Sequence, residues 1–194
     1  YMCEQQKLIF IGPSPRSIRK MGNKTVAKQT AKGAGLPTIP GSDGNLESLE
    51  QALTLADKLK YPVLLKATAG GGGKGIRPCH NRTDLETFYP QAKIEAEKAF
   101  GCGDLYLEKL IKQGRHIEFQ VLGDSYGNAV HLGERECSIQ RKNQKLIEES
   151  PSPAVSPDTR HEMGVLAAES VKKIGYQNAG TIEFLVDKNR NFYF

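Results

Sequence analysis

A lysine closing a short apolar run, followed by nine residues of which five are glycine, constrains this chain more than any other feature: Lys66-Ala67-Thr68-Ala69-Gly70-Gly71-Gly72-Gly73-Lys74-Gly75. The preceding Tyr61-Pro62-Val63-Leu64-Leu65 reads as a buried strand. A loop almost without side chains can turn its backbone N–H groups inward in conformations closed to other residues, and nothing in it keeps a phosphate away. The bland alternative is a flexible linker or a wide hairpin. Glycine alone does not separate the two, but the remaining sequence does.

With 194 residues the chain has room for one good core or two small lobes. Its 38% apolar and 25% charged residues place it among globular rather than disordered chains. No apolar run approaches the ~20 residues of a membrane span. The opening Tyr1-Met2-Cys3-Glu4-Gln5 has neither a basic nor an apolar leader region, so no signal peptide is expected. Tyrosine at position 1 and the strand-like Asn191-Phe192-Tyr193-Phe194 make both ends read as internal to something longer. The net charge of 27 − 22 = +5 suits small anions such as nucleotide phosphates and bicarbonate. Basic residues are scattered except at Arg141-Lys142-Asn143-Gln144-Lys145 and are not interleaved with aromatics, so nucleic acid is not an expected partner. Cysteines at 3, 79, 102 and 137 show no metal or disulfide spacing; free thiols in a reducing compartment are expected.

Periodicity and turn chemistry predict a strand at 7–11 and a helix from Ser14 to Lys32 with a break near Gly22, stopped by Gly33 and Gly35. An extended piece, 36–40, leads to the turn Gly41–Gly44. A helix follows at 46–59, with one stripe of Leu46, Leu49, Leu53, Ala56 and Leu59. Strands at 61–66 and 75–79 flank the glycine run, and a helix at 83–100 is expected to kink or split at Pro90. Strands at 105–110, 115–122 and 128–134 read as one antiparallel meander with a hairpin turn at 124–127. Ser156 and Pro157 open a helix to Lys173, ended by Gly175, and strands at 179–186 and 191–194 finish the chain. The fold class is α+β: a small lobe over about 40–120 hinged to a sheet formed by both termini and the meander.

Along 115–121, Ile117, Phe119 and Val121 alternate with His116, Glu118 and Gln120, giving a core face and a polar row. One such strand is ordinarily solvated on its polar side. Glu108-Lys109 and Glu134-Arg135-Glu136 add further polar pairs, and a sheet with so many inward-capable charges suits a charged ligand. Thr181, Glu183 and Leu185 repeat the alternation against Ile182 and Phe184, making Glu183 a candidate Mg²⁺ ligand, although no second carboxylate follows it downstream. A lone strand glutamate is more often solvated or salt-bridged. Residues 137–145 read as a basic, amide-rich loop that could hold a planar anion such as bicarbonate or be a surface patch. Cys137 reads as a small buried thiol, since no histidine partners it.

Eight ordered motifs carry a resemblance. They are Phe10-Ile11-Gly12-Pro13, Met21-Gly22-Asn23-Lys24, Pro40-Gly41-Ser42-Asp43-Gly44, the run Lys66–Gly75, Glu108-Lys109, Arg115–Val121, Gly133–Arg141 and Gly180–Leu185. In this order, from Ile9 to Phe194, they resemble the biotin carboxylase family, which has the ATP-grasp fold. The segment Arg141–Lys145 is most similar to cyanobacterial and plastid-type members. The resemblance implies a small mobile lid lobe plus part of an antiparallel-sheet lobe, incomplete at both ends. Residues 1–40 would be the end of an N-terminal lobe with its linker helix, 41–120 the lid, and 121–194 the start of the C-terminal lobe. The implied activity activates bicarbonate with ATP and Mg²⁺ (or Mn²⁺) through carboxyphosphate. It then carboxylates biotin on a biotin carboxyl carrier protein, the first half-reaction of acetyl-CoA carboxylase in fatty acid synthesis. Carboxyltransferase subunits and a homodimeric parent enzyme are implied, with no nucleic acid or membrane partner, in cytoplasm or plastid stroma.

Residue by residue, the resemblance makes Lys24 and Lys66 phosphate-contacting lysines and Gly70 to Gly75, with Gly71, Gly72, Gly73, Lys74 and Gly75, the loop closing over the nucleotide. It places Glu108, Lys109 and Ile111 at the adenine hinge, and His116 and Gln120 on the nucleotide-facing strand. Gln140 lies at the ribose side, Asn143 in the same ATP-binding set, and Leu185 under the base. Gln144 and Lys145 resemble the bicarbonate-binding pair, with catalytic roles, and Glu183 one of two metal-binding glutamates. Lysines and a metal offsetting phosphoryl charge behind a closed lid fit the reading from the residues.

The sequence departs from the family pattern at Asn23 and Glu136, each in place of aspartate, at Lys74 in place of arginine, and at Asn143 in place of a histidine found in many bacterial members. The family's second metal glutamate, bicarbonate arginine and base would lie past Phe194, so this chain alone is expected not to turn over. Two other readings stay open. One is a different bicarbonate-activating ATP-grasp ligase, such as half of a carbamoyl-phosphate synthase, against which Gln144-Lys145 argues. The other is a non-catalytic ATP-binding module.

Overall fold

The structure, a computed structural model, describes residues 1–69, 75–141 and 144–194. The expectations for Gly71, Gly72, Gly73, Lys74 and Asn143 lie outside the described residues.

Helix starts follow their side-chain caps. Ser14 accepts the Ser17 N–H at 3.2 Å to open α2 (Pro15–Gly22), and Asn23 accepts the Val26 N–H at 3.0 Å to open α3 (Lys24–Ala34). The expected break near Gly22 is thus a boundary between two helices, since extended Asn23 ends one and caps the next. Gly33 sits inside α3 and does not stop it; Gly35, at φ +96°, does. A short turn of helix, α1 (Met2–Gln5), precedes them. Ser48 caps α4 (Leu49–Leu59), and Asn81 caps α5 (Arg82–Phe100). Ser156 caps α6 (Pro157–Ile174), with Pro157 at its first position and Gly175 in the left-handed conformation at its end.

The strands form two sheets. β1 (Val63–Ala67) is central in the first, between β2 (Ile76–Cys79) and β3 (Leu105–Lys109). The second has the order β6 (Gln144–Glu149), β5 (Ala129–Arg141), β4 (Arg115–Gly123), β7 (Asn178–Val186), β8 (Phe192–Tyr193), every pair antiparallel. The Asp124–Gly127 hairpin turn joins β4 to β5, with Asp124 N–H donating to Asn128 O at 3.0 Å.

Four expectations are corrected. Residues 7–11 form no strand; Leu8, Ile9 and Ile11 are exposed and pair with no described strand. β3 is not part of the meander: it pairs with β1, Leu65 opposite Leu107, and so belongs to the other sheet. Residues 137–141 and 144–145 are strand rather than loop, because β5 runs to Arg141 and pairs antiparallel with β6, which begins at Gln144. α5 runs unbroken through Pro90, which lies on its exposed face, where the Glu86 carbonyl it leaves unpaired can meet water. The change of sheet falls between Lys109 and Arg115.

Each sheet has its own core. Val63, Leu65, Leu107, Leu53, Ala56 and Leu85 join α4 and α5 to the first. Ile117, Phe119, Val121, Phe184, Met163 and Ala31 join α6 and α3 to the second. Edge-to-face stacking of Phe119, Phe184 and Phe192 fixes the centre of that core. The predicted alternation holds: Ile117, Phe119, Val121, Ile182 and Phe184 are buried, leaving His116, Glu118 and Gln120 on the other face, opposite Leu185, Glu183 and Thr181.

Candidate functional site

A cleft of about 1100 Å³ lies between the two sheets, and Lys66, Glu108, Lys109, Ile111, His116 and Leu185 all line it. β1 delivers Lys66 at the strand end, one residue before Ala67, whose N–H donates to Gly75 O at 2.9 Å. That bond joins the residues on either side of the run. Gly75 has φ +73°, and a Cβ there would lie 2.9 Å from the Ala67 Cβ, so this return point favours glycine twice over.

Buried charge organises the floor. The Glu108 carboxylate, with a side chain only 7% exposed, accepts from Lys66 Nζ at 2.6 Å and from Lys28 Nζ at 2.9 Å. Burial pushes its pKa up, but the two ammonium groups outweigh burial and hold it below the ordinary carboxylate value. Lys24, one helical turn before Lys28, donates to Ala67 O at 3.3 Å. Burial and then the nearby Lys66 charge lower the Lys24 pKa, so an added anion would relieve a crowded group of cations.

The polar face of the second sheet continues from His116. Its Nδ1 lies 2.9 Å from a Glu183 oxygen, and Lys145 Nζ lies 3.9 Å from the same oxygen. Lys145 and Arg135 both donate to Glu118, which is 6% exposed and stands cross-strand from Glu183. The hydrogen bond from His116 lowers the Glu183 pKa against the opposing effect of burial, and Lys145 adds to it. Hydrogen bonding to Glu118 and the Glu183 charge raise the Lys145 pKa although burial works against them. Glu183 is therefore a carboxylate and Lys145 an ammonium at neutral pH, side by side on an open face. Cys137 and Glu148 come within 4.8 Å of Glu118, but Arg135 and Lys145 already take the Glu118 oxygens, and burial pushes the Cys137 thiol up to about 11.

Of the expected site residues, Lys24, Lys66, Gly75, Glu108, Lys109, Ile111, His116, Leu185, Lys145 and Glu183 come together around the cleft and its adjoining sheet face. Gln120 joins the same face, donating to Gly180 O at 2.8 Å and accepting from Arg135 at 3.2 Å. Gln140 is not among the cleft-lining residues, and its amide donates to Cys137 O on its own strand at 2.9 Å. Gln144 begins β6, exposed and opposite Arg141. Sequence reading passed over Lys28, whose spacing of four from Lys24 puts both on one side of α3, and it did not foresee that Glu118, cross-strand from Glu183, anchors Arg135 and Lys145.

Residues 23–194 match the family model described as the carbamoyl-phosphate synthase L chain, ATP binding domain. The whole chain is 53% identical to chloroplastic biotin carboxylase 1 of Populus trichocarpa and covers 37% of it. It is 54% identical to the 2-oxoglutarate carboxylase small subunit of Hydrogenobacter thermophilus, covering 41% of that protein. The biotin carboxylase domain dimer of that carboxylase, solved with MgADP, ADP and bicarbonate, superposes with a TM-score of 0.94 at 54% identity; 100% of this chain and 43% of that one are covered. A Campylobacter jejuni biotin carboxylase solved as a β,γ-ATP complex gives 0.95 at 52% identity, with the same coverage. The chain thus spans roughly two fifths of the length of these relatives, and its mixed α and antiparallel-sheet architecture is the ATP-grasp fold of biotin carboxylase domains. Fold, cleft and sequence agree: the chain belongs to the carbamoyl-phosphate synthase L chain ATP-binding domain family and is similar to biotin carboxylases along its whole length.

Proposed function

We propose that this chain is the nucleotide-binding part of a biotin carboxylase, an ATP-dependent ligase that activates bicarbonate and carboxylates biotin on a carrier protein. The observation that carries this reading is the meeting of Lys24 with Ala67, beside Lys66 and just before the glycine run in the sequence, at a cleft whose lining includes Lys66, His116 and Leu185. Ammonium groups at the root of a side-chain-free loop bind phosphate oxygens, and the apolar Ile111 and Leu185 flank a space broad enough for a purine. Glu183, an ionised carboxylate on an exposed strand face, fits a Mg²⁺ held jointly with phosphate oxygens, where the metal offsets charge on the transferring phosphoryl group. Lys145 beside it would hold bicarbonate as an anion, Gln144 adds an amide at the start of the same strand, and Lys109, Gln120 and Gln140 complete the expected set. The lid over residues 41–120, the carrier protein, the carboxyltransferase subunits, a dimeric parent and a cytoplasmic or plastid location belong to this reading. Among the described residues no helix is long and apolar enough to cross a membrane.

Calorimetric titration of MgATP into the chain, with Lys66→Ala alongside, tests the reading. Loss of one charge-assisted contact, about 1.5–3 kcal/mol, should weaken binding roughly 10- to 100-fold. Equal affinity of the two proteins would refute the placement of phosphate at Lys66. The matched family model favours a second reading, a carbamoyl-phosphate synthase-like ligase. Carbamoyl phosphate formed from ammonia, bicarbonate and MgATP by the parent protein would decide for it.

A further inference from the structure

Glu108 has two ammonium partners where one would neutralise it. Lys66 comes from β1 of the first sheet, whereas Lys28 comes from α3, which packs on the second sheet through Ala31. The three groups are largely out of solvent, with side chains 13%, 18% and 7% exposed for Lys28, Lys66 and Glu108. Tyr106 covers Lys66, its ring centroid 5.8 Å from Nζ. The backbone is shaped to admit Lys28: Gly41 bridges to Glu108, and a Cβ on Gly41 would meet Leu107 O at 2.2 Å and the Lys28 amine at 3.0 Å. Gly41 leaves the approach of Lys28 to the carboxylate free.

Charge accounting gives the consequence. With one lysine, the pair Lys66–Glu108 would be neutral, and an incoming anion would have to pull Lys66 from its only counter-ion in a poorly hydrated site. With Lys28 on the second oxygen, the trio carries one net positive charge on the cleft side. We propose that Lys28 is a positioning residue: by taking one oxygen of Glu108 it leaves the Lys66 ammonium charge available to a phosphate chain entering the cleft. This rests on the nucleotide reading above for its ligand, though not for its electrostatics. Lys28 itself is not a phosphate contact, because Glu108 stands between it and Lys66.

The test is a double-mutant cycle of Lys28→Met and Glu108→Gln on the 194-residue chain, with MgATP affinity read by calorimetry and folding by thermal melting. Lys28→Met should weaken MgATP binding about tenfold in the native background and far less in the Glu108→Gln background, because no carboxylate remains to capture Lys66. Lys28→Arg should restore affinity. A merely structural Lys28 would lower the melting temperature and give additive losses of affinity, and additivity overturns the proposal. A second arm needs no nucleotide: acylation of Lys66 by acetic anhydride at fixed pH, followed by mass spectrometry, should slow in Lys28→Met and recover in the double variant. An unchanged rate overturns the charge sharing. A native chain that does not bind MgATP refutes the nucleotide reading, and the acylation rates still decide the electrostatic claim.

Discussion

Arg160→Met should be among the most damaging single substitutions outside the cleft. The Glu134 carboxylate, on a side chain 2% exposed, receives Arg160 Nε at 2.6 Å and the Ser152 N–H at 3.1 Å. The same guanidinium donates to Ser152 O at 3.0 Å and Val155 O at 3.2 Å, tying the segment before α6 to β5. Methionine keeps most of the side-chain volume and removes every donor, leaving a buried charge with one partner. Removing one member of a buried pair costs about 3–5 kcal/mol; because Arg160 is 27% exposed, the lower figure, about 3 kcal/mol, applies. Urea unfolding followed by circular dichroism reads this directly. With a slope of about 1–3 kcal/mol per molar, the midpoint should fall by about 1–3 M at unchanged slope. Adding Glu134→Gln should recover more than half of the loss, since a neutral amide can still accept from Ser152. A loss below about 1 kcal/mol, as for a surface pair, or a double variant no better than the single, would refute the reasoning.

Phe184→Ala should cost about 3–5 kcal/mol in the same assay, because the ring is fully buried between Phe119 and Phe192; a loss under about 1 kcal/mol would mean that the second core collapses around the gap. The folded-state pKa of Glu108 lies below its unfolded value of about 4.5, so its contribution to stability is complete above that pH and is lost as pH falls through the folded value. Stability measured at pH 6 and at pH 3.5 should therefore differ less in Glu108→Gln than in the native chain, and equal differences would contradict this. Burial pushes the Cys79 and Cys137 thiols up to about 11, whereas Cys3 and Cys102 are half-buried. Iodoacetamide at pH 8 should label the latter two first, with all four reacting together only after unfolding.

Local signals in the sequence were enough wherever the deciding partner was also local. Ser14, Ser156 with Pro157, and Gly175 bound their helices as read because caps act within one turn, whereas Ser48 and Asn81 were passed over and α4 was expected three residues too early, from Leu46. The alternation of 115–121 and 181–185 found the core and polar faces because strand periodicity is a property of the strand itself. Pairing is not. Nothing in Leu105–Lys109 says that its partner is β1, some forty residues upstream, rather than the adjacent β4. The run Lys7–Ile11 has strand-like residues but no described neighbour to pair with, and β6 is too polar to read as a strand until β5 is beside it. The cleft was legible where motifs carried it and missed at Lys28, whose significance depends on Glu108, eighty positions away.

The passage into the smaller sheet, 36–46, runs along β3. Lys109 N–H donates to Pro40 O at 2.8 Å, Ser42 N–H to Leu107 O at 2.8 Å and Leu46 N–H to Leu105 O at 2.7 Å. Residues 40–46 thus lie as a second backbone along β3. Slip of this segment along β3 would break those hydrogen bonds. α3 adds ties of its own between the two bodies: Lys24 Nζ donates to Ala67 O, Thr25 Oγ1 to Asn45 Oδ1 and Lys28 Nζ to Glu108. Glu108 sits on β3 where Gly41 of that segment bridges to it, so any shift of the two bodies would alter the spacing between Lys28 on the larger body and Lys66 on the smaller, coupling mechanical posture to the charge at the mouth of the cleft.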